Sequence, residues 1–295
     1  MTIKRYVANA DNTITNAFKD GLSTRATGSN AGAADVVEIF SIYAQATTSS
    51  AEASRALVQF DISKISSDRS SGIIPGNGSV SFYLKMFNVE HIETTPKNYV
   101  LAIQAISQSW EEGNGLDIDS RKDLTNNNIG SNWIKRSGNN SWTAQGGDFH
   151  AAPVFTASFT SGLEDLEVDV TSLVEQWLDG SKQNYGFGIF LSGSFESGTT
   201  SYYTKKFFAR TSEFFFKRPV LEARFNNVIK DDRGDFYSSS SLAPAADNKN
   251  QLYLYNYVRG RLRNIPSIGT GSIFVDLYET LGGTAKTLCI DTPAT

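Results

Sequence analysis

The chain has little of the material from which disulfide frameworks, metal centres and histidine-based active sites are built. Its 295 residues include one cysteine, two histidines and two methionines. The single cysteine, Cys289, excludes an internal disulfide and a multi-cysteine metal site. His91 and His150 leave little for zinc ligation or histidine catalysis, and no G-x-S-x-G or P-loop signature occurs. We therefore expect a protein that is not an enzyme and that needs no cofactor.

Long apolar runs and a strong charge of either sign are also missing. No stretch of about 18 apolar residues exists that could cross a bilayer, and residues 1–18 contain no apolar signal-peptide core. Charged residues make up 20% of the chain, its formal net charge is -4, and there is no basic stripe. We therefore expect a protein made in a cytoplasm, with neither nucleic acid nor a membrane as its partner.

The chain is rich in short aromatic and β-branched runs that are separated by glycine, asparagine and serine. Gly (24), Phe (19) and Tyr (12) are plentiful, and this punctuation is typical of an all-β protein. In one run, Ala56, Val58 and Phe60 share one face, whereas Leu57 points to the other. Alternation predicts strands within residues 36–46, 55–62, 80–89, 98–107, 152–159, 184–193, 201–210 and 218–225.

One segment, residues 164–180, has the pattern of a helix. Asp169 or Thr171 stands where an N-cap belongs, and Gly180 stands where a C-terminal glycine would end the helix. Its apolar stripe consists of Leu173, Val174 and Trp177. We therefore predict a single short helix within a β-protein.

Composition changes after residue 226. Residues 1–226 carry the predicted β-sandwich, residues 227–250 form a polar, serine-rich connector, and residues 251–295 contain two or three further strands. About 45 residues with so few strands can hardly close a sandwich of their own. We expect a smaller β-domain that either packs on a neighbour or is incomplete.

The segment Ser109–Phe149 is a polar loop that holds three of the four tryptophans, Trp110, Trp133 and Trp142. Loops of this length are usually functional or disordered, and disordered segments avoid large aromatics. Trp133 and Trp142 are candidates to stack on sugar rings. The alternative is that the tryptophans pin the loop to the sandwich, and this alternative is favoured for Trp110.

Three further patterns are weaker. Asp117, Asp119 and Asp123 could hold calcium through their carboxylates, but they lack the glycine and glutamate of an EF-hand, and a solvated loop is the better interpretation. The run Phe214–Pro219 predicts a buried strand with a polar exit. On a strand, three alternate arginines would share a face that could meet a partner subunit or solvent: Arg259, Arg261 and Arg263.

Four pieces of the chain occur in a distinctive order: "RALVQFDISKI" (Arg55–Ile65), "SWEEGNG" (Ser109–Gly115), "WTAQGGDF" (Trp142–Phe149) and "VDVTSLVEQWLDGSKQNYGFGIFL" (Val168–Leu191). Their order and spacing resemble the DNRLRE family, a disaggregatase-related β-sandwich also regarded as a carbohydrate-binding module, and a fifth piece, the opening "ADNTITNAF" (Ala10–Phe18), resembles the first strand of that family. The resemblance spans Tyr6 to Phe225. It implies a jelly-roll-like sandwich with a short helix, and a role in adhesion or polysaccharide contact.

The resemblance leaves more than one function open. Family members usually follow a signal peptide, from which this chain departs, and residues 231–271 are similar to structural proteins of marine bacteriophages. We therefore predict a virion structural protein (decoration, collar or neck, or tail accessory) that forms homo-oligomers, contacts other virion subunits and in addition binds polysaccharide. The alternative is a carbohydrate-binding or adhesion module of a bacterial surface or secreted protein. A polysaccharide lyase or hydrolase fragment is a third hypothesis, although nothing pairs its acids.

Overall fold

The computed structural model describes residues 2–92, 94–116 and 129–226, together with residues 232, 241–244, 250–253, 256–258, 261–262, 277–278 and 282–286. The chain forms two compact units, Met1–Asn227 and Val228–Thr295. The first unit consists mainly of antiparallel strands arranged as a sandwich. This architecture confirms the predicted all-β class.

The first unit contains thirteen strands among its described residues. In chain order they are β1 (Thr2–Val7), β2 (Ala10–Thr15), β3 (Val36–Tyr43), β4 (Ala51–Gln59), β5 (Val80–Met86), β6 (Tyr99–Ile106), β7 (Lys135–Ser137), β8 (Asn140–Ser141), β9 (Phe149–Phe159), β10 (Leu166–Asp169), β11 (Phe187–Leu191), β12 (Tyr202–Phe208) and β13 (Val220–Phe225). Each of the eight predicted strand regions overlaps one of these strands, although β4 and β9 begin earlier than predicted, at Ala51 and Phe149.

Among the described residues, three α-helices and one 3-10 helix accompany the strands. They are α1 (Ser63–Ser70), α2 (Thr171–Leu178), α3 (Ser194–Ser197) and the 3-10 helix Phe215–Lys217. The prediction of a single helix was therefore wrong. Helix α1 buries only Ile65, so it has no apolar stripe that a sequence pattern could display, and α3 is a single turn.

Two sheets face each other across the main core. The small sheet has the order β1-β13-β5-β10, and the large sheet has the order β12-β3-β4-β11-β6-β9, with β2 also paired to β4. Strand β4 pairs with β3 at residues 51–53 and with β2 at residues 54–59. The core between the sheets contains the buried aromatic side chains of Phe60, Phe82, Phe159, Phe187 and Phe207.

A second apolar cluster covers the opposite face of the large sheet. Leu57 points away from the main core, as its alternation with Ala56 and Val58 predicted, yet it is buried. Its neighbours in this cluster are Ile14, Ala53, Ile106, Trp133 and Trp142. The described ends of the long loop therefore form a third layer over the sandwich.

Helix α2 matches the sequence pattern closely. Its three stripe residues, Leu173, Val174 and Trp177, are buried in the main core. The Asp169 carboxylate accepts a hydrogen bond from the Thr171 N–H at 2.9 Å. Gly180 follows with a φ of 79°, the left-handed conformation that glycine adopts without steric cost. Gly180 is therefore confirmed as the glycine that follows the end of the helix. The predicted N-cap was wrong, because Val170 occupies that position without a side-chain cap and Thr171 is the first helical residue.

The two outer strands of the large sheet are irregular. Strand β9 carries Pro153, which has no N–H to donate to a further strand. Strand β12 shifts its register against β3 between Tyr202 and Lys205. Thr204, inside this shift, has a φ of 22°, and beyond it Lys205 and Phe207 point into the sandwich.

The described strands of the second unit form two short hairpins. Strand β14 (Tyr257–Val258) pairs with β15 (Arg261–Leu262), and β16 (Leu277–Tyr278) pairs with β17 (Ala285–Lys286). Both pairs are antiparallel.

Candidate functional site

The long loop is fastened at its two ends by one buried side chain, Asn30. The Asn30 Nδ2 donates to the carbonyl oxygens of Glu112 and Ser131, at 2.9 and 2.8 Å. Its Oδ1 accepts from the N–H groups of Gly32 and Gly115, at 3.2 and 2.9 Å. One amide thus satisfies backbone groups on both ends of the loop. The two ends also meet directly, because the Ser131 N–H donates to the Glu111 carbonyl oxygen at 2.6 Å.

The tryptophans of the loop face the sheet. Trp133 and Trp142 are only 7% and 5% exposed. The Trp142 Nε1 donates to the carbonyl oxygen of Asn132 at 2.9 Å. Indole faces covered in this way offer no platform to a sugar ring, because stacking needs one open face. The contacts of Trp133 and Trp142 agree with the alternative hypothesis, in which the tryptophans pin the loop to the sandwich.

Two further contacts hold this layer in place. The guanidinium of Arg55 lies over the Trp133 ring, 5.2 Å from its centroid, and is paired with the Glu196 carboxylate at 2.8 Å. The Trp110 Nε1 donates to the carbonyl oxygen of Tyr185 at 2.7 Å. Trp110 therefore serves as an anchor, in keeping with the alternative that the sequence favoured.

The Gly146–Asp148 turn closes the loop. The Asp148 carboxylate accepts hydrogen bonds from the N–H groups of Thr143 and Ala144, at 2.7 and 2.9 Å, and from the Gln108 Nε2 at 2.7 Å. Asp148 therefore closes a tight turn by accepting backbone N–H groups.

Most of the remaining predicted site residues lie outside the residues that the structure describes. Asp117, Asp119 and Asp123 are outside the described residues, so their calcium site stays a prediction. Arg259 and Arg263 are also outside them, whereas Arg261 lies in β15 opposite Val258. In the described part of the chain, no group of three or more His, Cys, Asp or Glu side chains is arranged to hold a metal ion.

A buried charge cluster joins β2 to the first end of the loop. Arg210 donates from Nε and Nη2 to the two carboxylate oxygens of Glu112, at 2.8 and 2.6 Å. The Asp11 N–H donates to Glu112 Oε1 at 2.8 Å, and the Asp11 carboxylate accepts from the Arg210 N–H. Asp11 is 1% exposed, so this pair of acids has no room for a substrate.

Burial dominates the electrostatics of this cluster. It raises the pKa of Asp11 to about 7, helped by the negative charge of Glu112 and opposed by the N–H and the positive charge of Arg210. The Asp11 Oδ1 has no hydrogen-bond partner among the described residues. Sequence reasoning missed the cluster because its three members are separated from one another by 98, 101 and 199 positions in the chain.

An exposed aromatic surface, formed by Phe214, Phe215 and Phe216, was also missed. These side chains are 55%, 54% and 81% exposed, so the predicted buried strand over Phe214–Pro219 was wrong. The segment lies in the connection between β12 and β13, and the 3-10 helix inside it turns the rings outward. A continuous aromatic run has no period from which burial could be judged.

Two cations border the aromatic surface. The Lys217 Nζ lies 4.9 Å from the centroid of the Phe208 ring, and the Arg218 guanidinium lies 5.4 Å from that of Phe215. The Arg218 Nε also donates to the carbonyl oxygen of Ser212 at 2.8 Å, which fixes the turn. The result is an apolar patch with a cationic rim.

A cleft of about 320 Å³ opens beside the start of α1 and the end of α2. Phe60 and Trp177 line it, and Trp177 Nε1 is buried without a hydrogen-bond partner in the described part of the chain. The remaining lining is largely polar and includes Asn9, Gln59, Asp61, Lys182, Gln183 and Asn184. This lining is more polar than that of most small-ligand sites.

No protein-family model matches the chain, and no curated protein is similar to it. The DNRLRE resemblance therefore remains a prediction from the five sequence pieces. Two of them, Ala10–Phe18 and Ser109–Gly115, meet through the Asp11–Glu112 contact. Among the described helices, none is long and apolar enough to cross a membrane.

Proposed function

We propose that the chain is a structural component of a bacteriophage virion, in a decoration, collar or tail accessory position, which acts through contacts between subunits. The observation that carries the proposal is the aromatic surface of Phe214, Phe215 and Phe216. Contiguous exposed aromatics with a polar rim are the composition of interface centres. The virion assignment is further supported by the similarity of residues 231–271 to marine phage structural proteins.

The proposed occupant of the aromatic surface is a second copy of the chain. Symmetric dimers bring the same patch of each subunit into contact, so an apolar patch meets an identical apolar patch. Aromatic side chains at the centre of such contacts supply most of the binding energy. The cations of Lys217 and Arg218 already lie against the aromatic rings of their own chain, so they remain at the rim of the contact.

The oligomeric state tests this proposal. We expect the full chain to be oligomeric in light scattering at micromolar concentration, and the triple variant Phe214→Ser, Phe215→Ser, Phe216→Ser to be monomeric, because truncated aromatic anchors each cost about 2 kcal/mol or more of binding energy. Ile73→Ser, which removes an isolated exposed side chain, is the matched control and should leave the oligomer intact. A monomeric wild type, or an unchanged mass in the triple variant, would contradict the proposal.

The cleft supports a second function, carbohydrate binding, which would be compatible with a virion role. Its volume of about 320 Å³ suits a single sugar ring. Polar side chains in its wall, among them Asn9, Gln183 and Asn184, can exchange hydrogen bonds with sugar hydroxyl groups. This location replaces the loop tryptophans as the proposed sugar contact.

A glycan array tests the cleft. We expect wild-type binding to fall about tenfold or more in the double variant Asn9→Ala, Gln183→Ala, because both exposed side chains lie at the wall of the cleft and each lost hydrogen bond costs about 1 kcal/mol. Asn140→Ala, an exposed change in the loop hairpin, should bind as the wild type does. Binding that is lost in Asn140→Ala but kept in the double variant would return the sugar site to the loop.

A further inference from the structure

The most unusual buried group outside these surfaces is the side chain of Lys205. It is 2% exposed, and its Nζ lies 4.9 Å from the ring centroids of both Phe159 and Phe207. Lysine is almost never fully buried unless it is paired with other groups. The register shift of β12 places this lysine on the inward side of the strand, where the neighbouring inward residue is Phe207.

The Nζ of Lys205 is held against a side-chain amide. It donates to the Asn88 Oδ1 at 2.6 Å, and to the carbonyl oxygens of Gly162 and Glu164 at 2.8 and 2.7 Å. The contact with Asn88 is the shortest of the three. Atoms in hydrogen-bond contact are already close to the separation from which a nucleophile attacks, about 3 to 3.5 Å.

Asn88 is fixed in its position by its own backbone. It forms a bridge with Phe207, and its N–H donates to the Asp165 carboxylate at 2.8 Å. On either side of it, Phe87 accepts a hydrogen bond from the Phe208 N–H and Val89 donates one to the Lys206 carbonyl oxygen, both at 3.0 Å. Backbone hydrogen bonds therefore hold the segment that carries the Asn88 amide in register with the segment that carries the Lys205 amine.

The surroundings favour the reactive form of the lysine. Burial lowers the pKa of Lys205 to about 8, although the charges of Glu164 and Asp165 oppose this shift. At pH 7, Lys205 is then uncharged in about one molecule in ten, whereas an ordinary lysine is uncharged in fewer than one molecule in a thousand. Asn88 is half-exposed, so a small leaving group can escape to solvent.

We infer that Lys205 and Asn88 form an intramolecular isopeptide bond. The uncharged Nζ attacks the Asn88 Cγ, a bond forms between Nζ and Cγ, and the bond between Cγ and Nδ2 breaks. One proton of Nζ moves to the departing nitrogen, directly or through the Asp165 carboxylate, and the nitrogen leaves as ammonia. No oxidant, metal or further reactant is needed.

Such a bond would join the two sheets. Asn88 follows β5 of the small sheet, and Lys205 belongs to β12 at the edge of the large sheet. The two residues are separated by 117 positions in the chain, and a cross-link that closes a loop of this length strongly restricts the unfolded state. A protein that must endure outside a cell gains from that restriction.

Intact mass under denaturing conditions is the direct test. After incubation at pH 8, we expect the purified full chain to be lighter than its sequence by the mass of one ammonia molecule. Proteolysis should then release one branched peptide that contains both Asn88 and Lys205. A wild-type protein with its full calculated mass would overturn the inference, and the three-oxygen cage would then simply hold a buried ammonium.

Three variants assign the loss to this pair. Asn88→Ala and Lys205→Met should both have their full calculated mass, because each removes one reacting group. Lys206→Met is the matched control, since the next residue on β12 pairs with Glu38 at 2.8 Å instead, and it should still lose ammonia. Ammonia loss that persists in Asn88→Ala would place the reaction elsewhere and overturn the inference. If Lys205→Met does not fold, the wild-type mass and the branched peptide still show whether the isopeptide bond has formed.

Discussion

Replacing Asn30 with alanine will lower the free energy of unfolding by about 4 kcal/mol. The substitution removes four hydrogen bonds from one buried amide and leaves backbone groups of Gly32, Glu112, Gly115 and Ser131 without this partner. A buried polar group that loses its partner costs about 1 to 3 kcal/mol. Urea unfolding followed by tryptophan fluorescence measures the change.

The same variant should also loosen the loop before the sandwich unfolds. Trp133 and Trp142 are buried under the loop that Asn30 fastens, so their fluorescence should shift towards that of exposed indole at lower urea than the circular dichroism of the strands. Asn140→Ala truncates an exposed amide and should change stability by less than about 0.5 kcal/mol. A loss below about 1 kcal/mol in Asn30→Ala would show that other contacts hold the loop.

Asp11→Asn will change how stability depends on pH. The pKa of Asp11 in the folded protein is about 7, well above that of an unfolded aspartate, so the folded state holds the proton more tightly. The stability contributed by this proton is fully present below about pH 4 and is lost as pH rises through 7. The upward shift of about three units in the pKa of Asp11 corresponds to about 4 kcal/mol of stability. The charges of Glu112 and Arg210 both contribute to this shift.

Chemical denaturation of wild type and Asp11→Asn at intervals between pH 4 and pH 8 provides the measurement. The difference between the two should be smallest near pH 4 and should grow in favour of the variant towards pH 8. The comparison of the two proteins cancels the pH dependence that other groups contribute to stability. One such group is Glu164, whose pKa is shifted in the opposite direction to that of Asp11. Burial favours a higher pKa there, but hydrogen bonds from Ser161 and Thr160 lower the pKa of Glu164 to about 2. A difference that does not vary with pH would contradict the assignment.

The regular parts of the fold could be predicted because their information is local. Alternation along β4 separated Leu57 from Ala56 and Val58, and the stripe of α2 ended at Gly180 as expected. The prediction failed where a short segment lacked a period, as in α1, whose only buried residue is Ile65. It failed also at Phe214–Phe216, where composition favours burial but the connection between two sheets turns the rings outward.

The candidate site was harder to predict because it depends on contacts between distant segments. A polar loop with tryptophans suggested an outward binding surface, yet Leu57 supplied a contrary signal. An apolar residue on the outer face of a strand needs a cover, and Trp133 and Trp142 provide it. Neither the hydrogen bonds from Asn30 to the loop nor the contact between Lys205 and Asn88 leaves a trace in residue spacing, since each joins segments more than 80 positions apart.

Copies of this protein should not extend one another's large sheet. A strand that approached β9 would meet Pro153, which offers no N–H, and one that approached β12 would meet a strand whose register is broken between Tyr202 and Lys205. Natural proteins use both devices to keep sheet edges from joining. A contact between the large sheets of two copies would therefore be made by side chains instead of a shared backbone ladder.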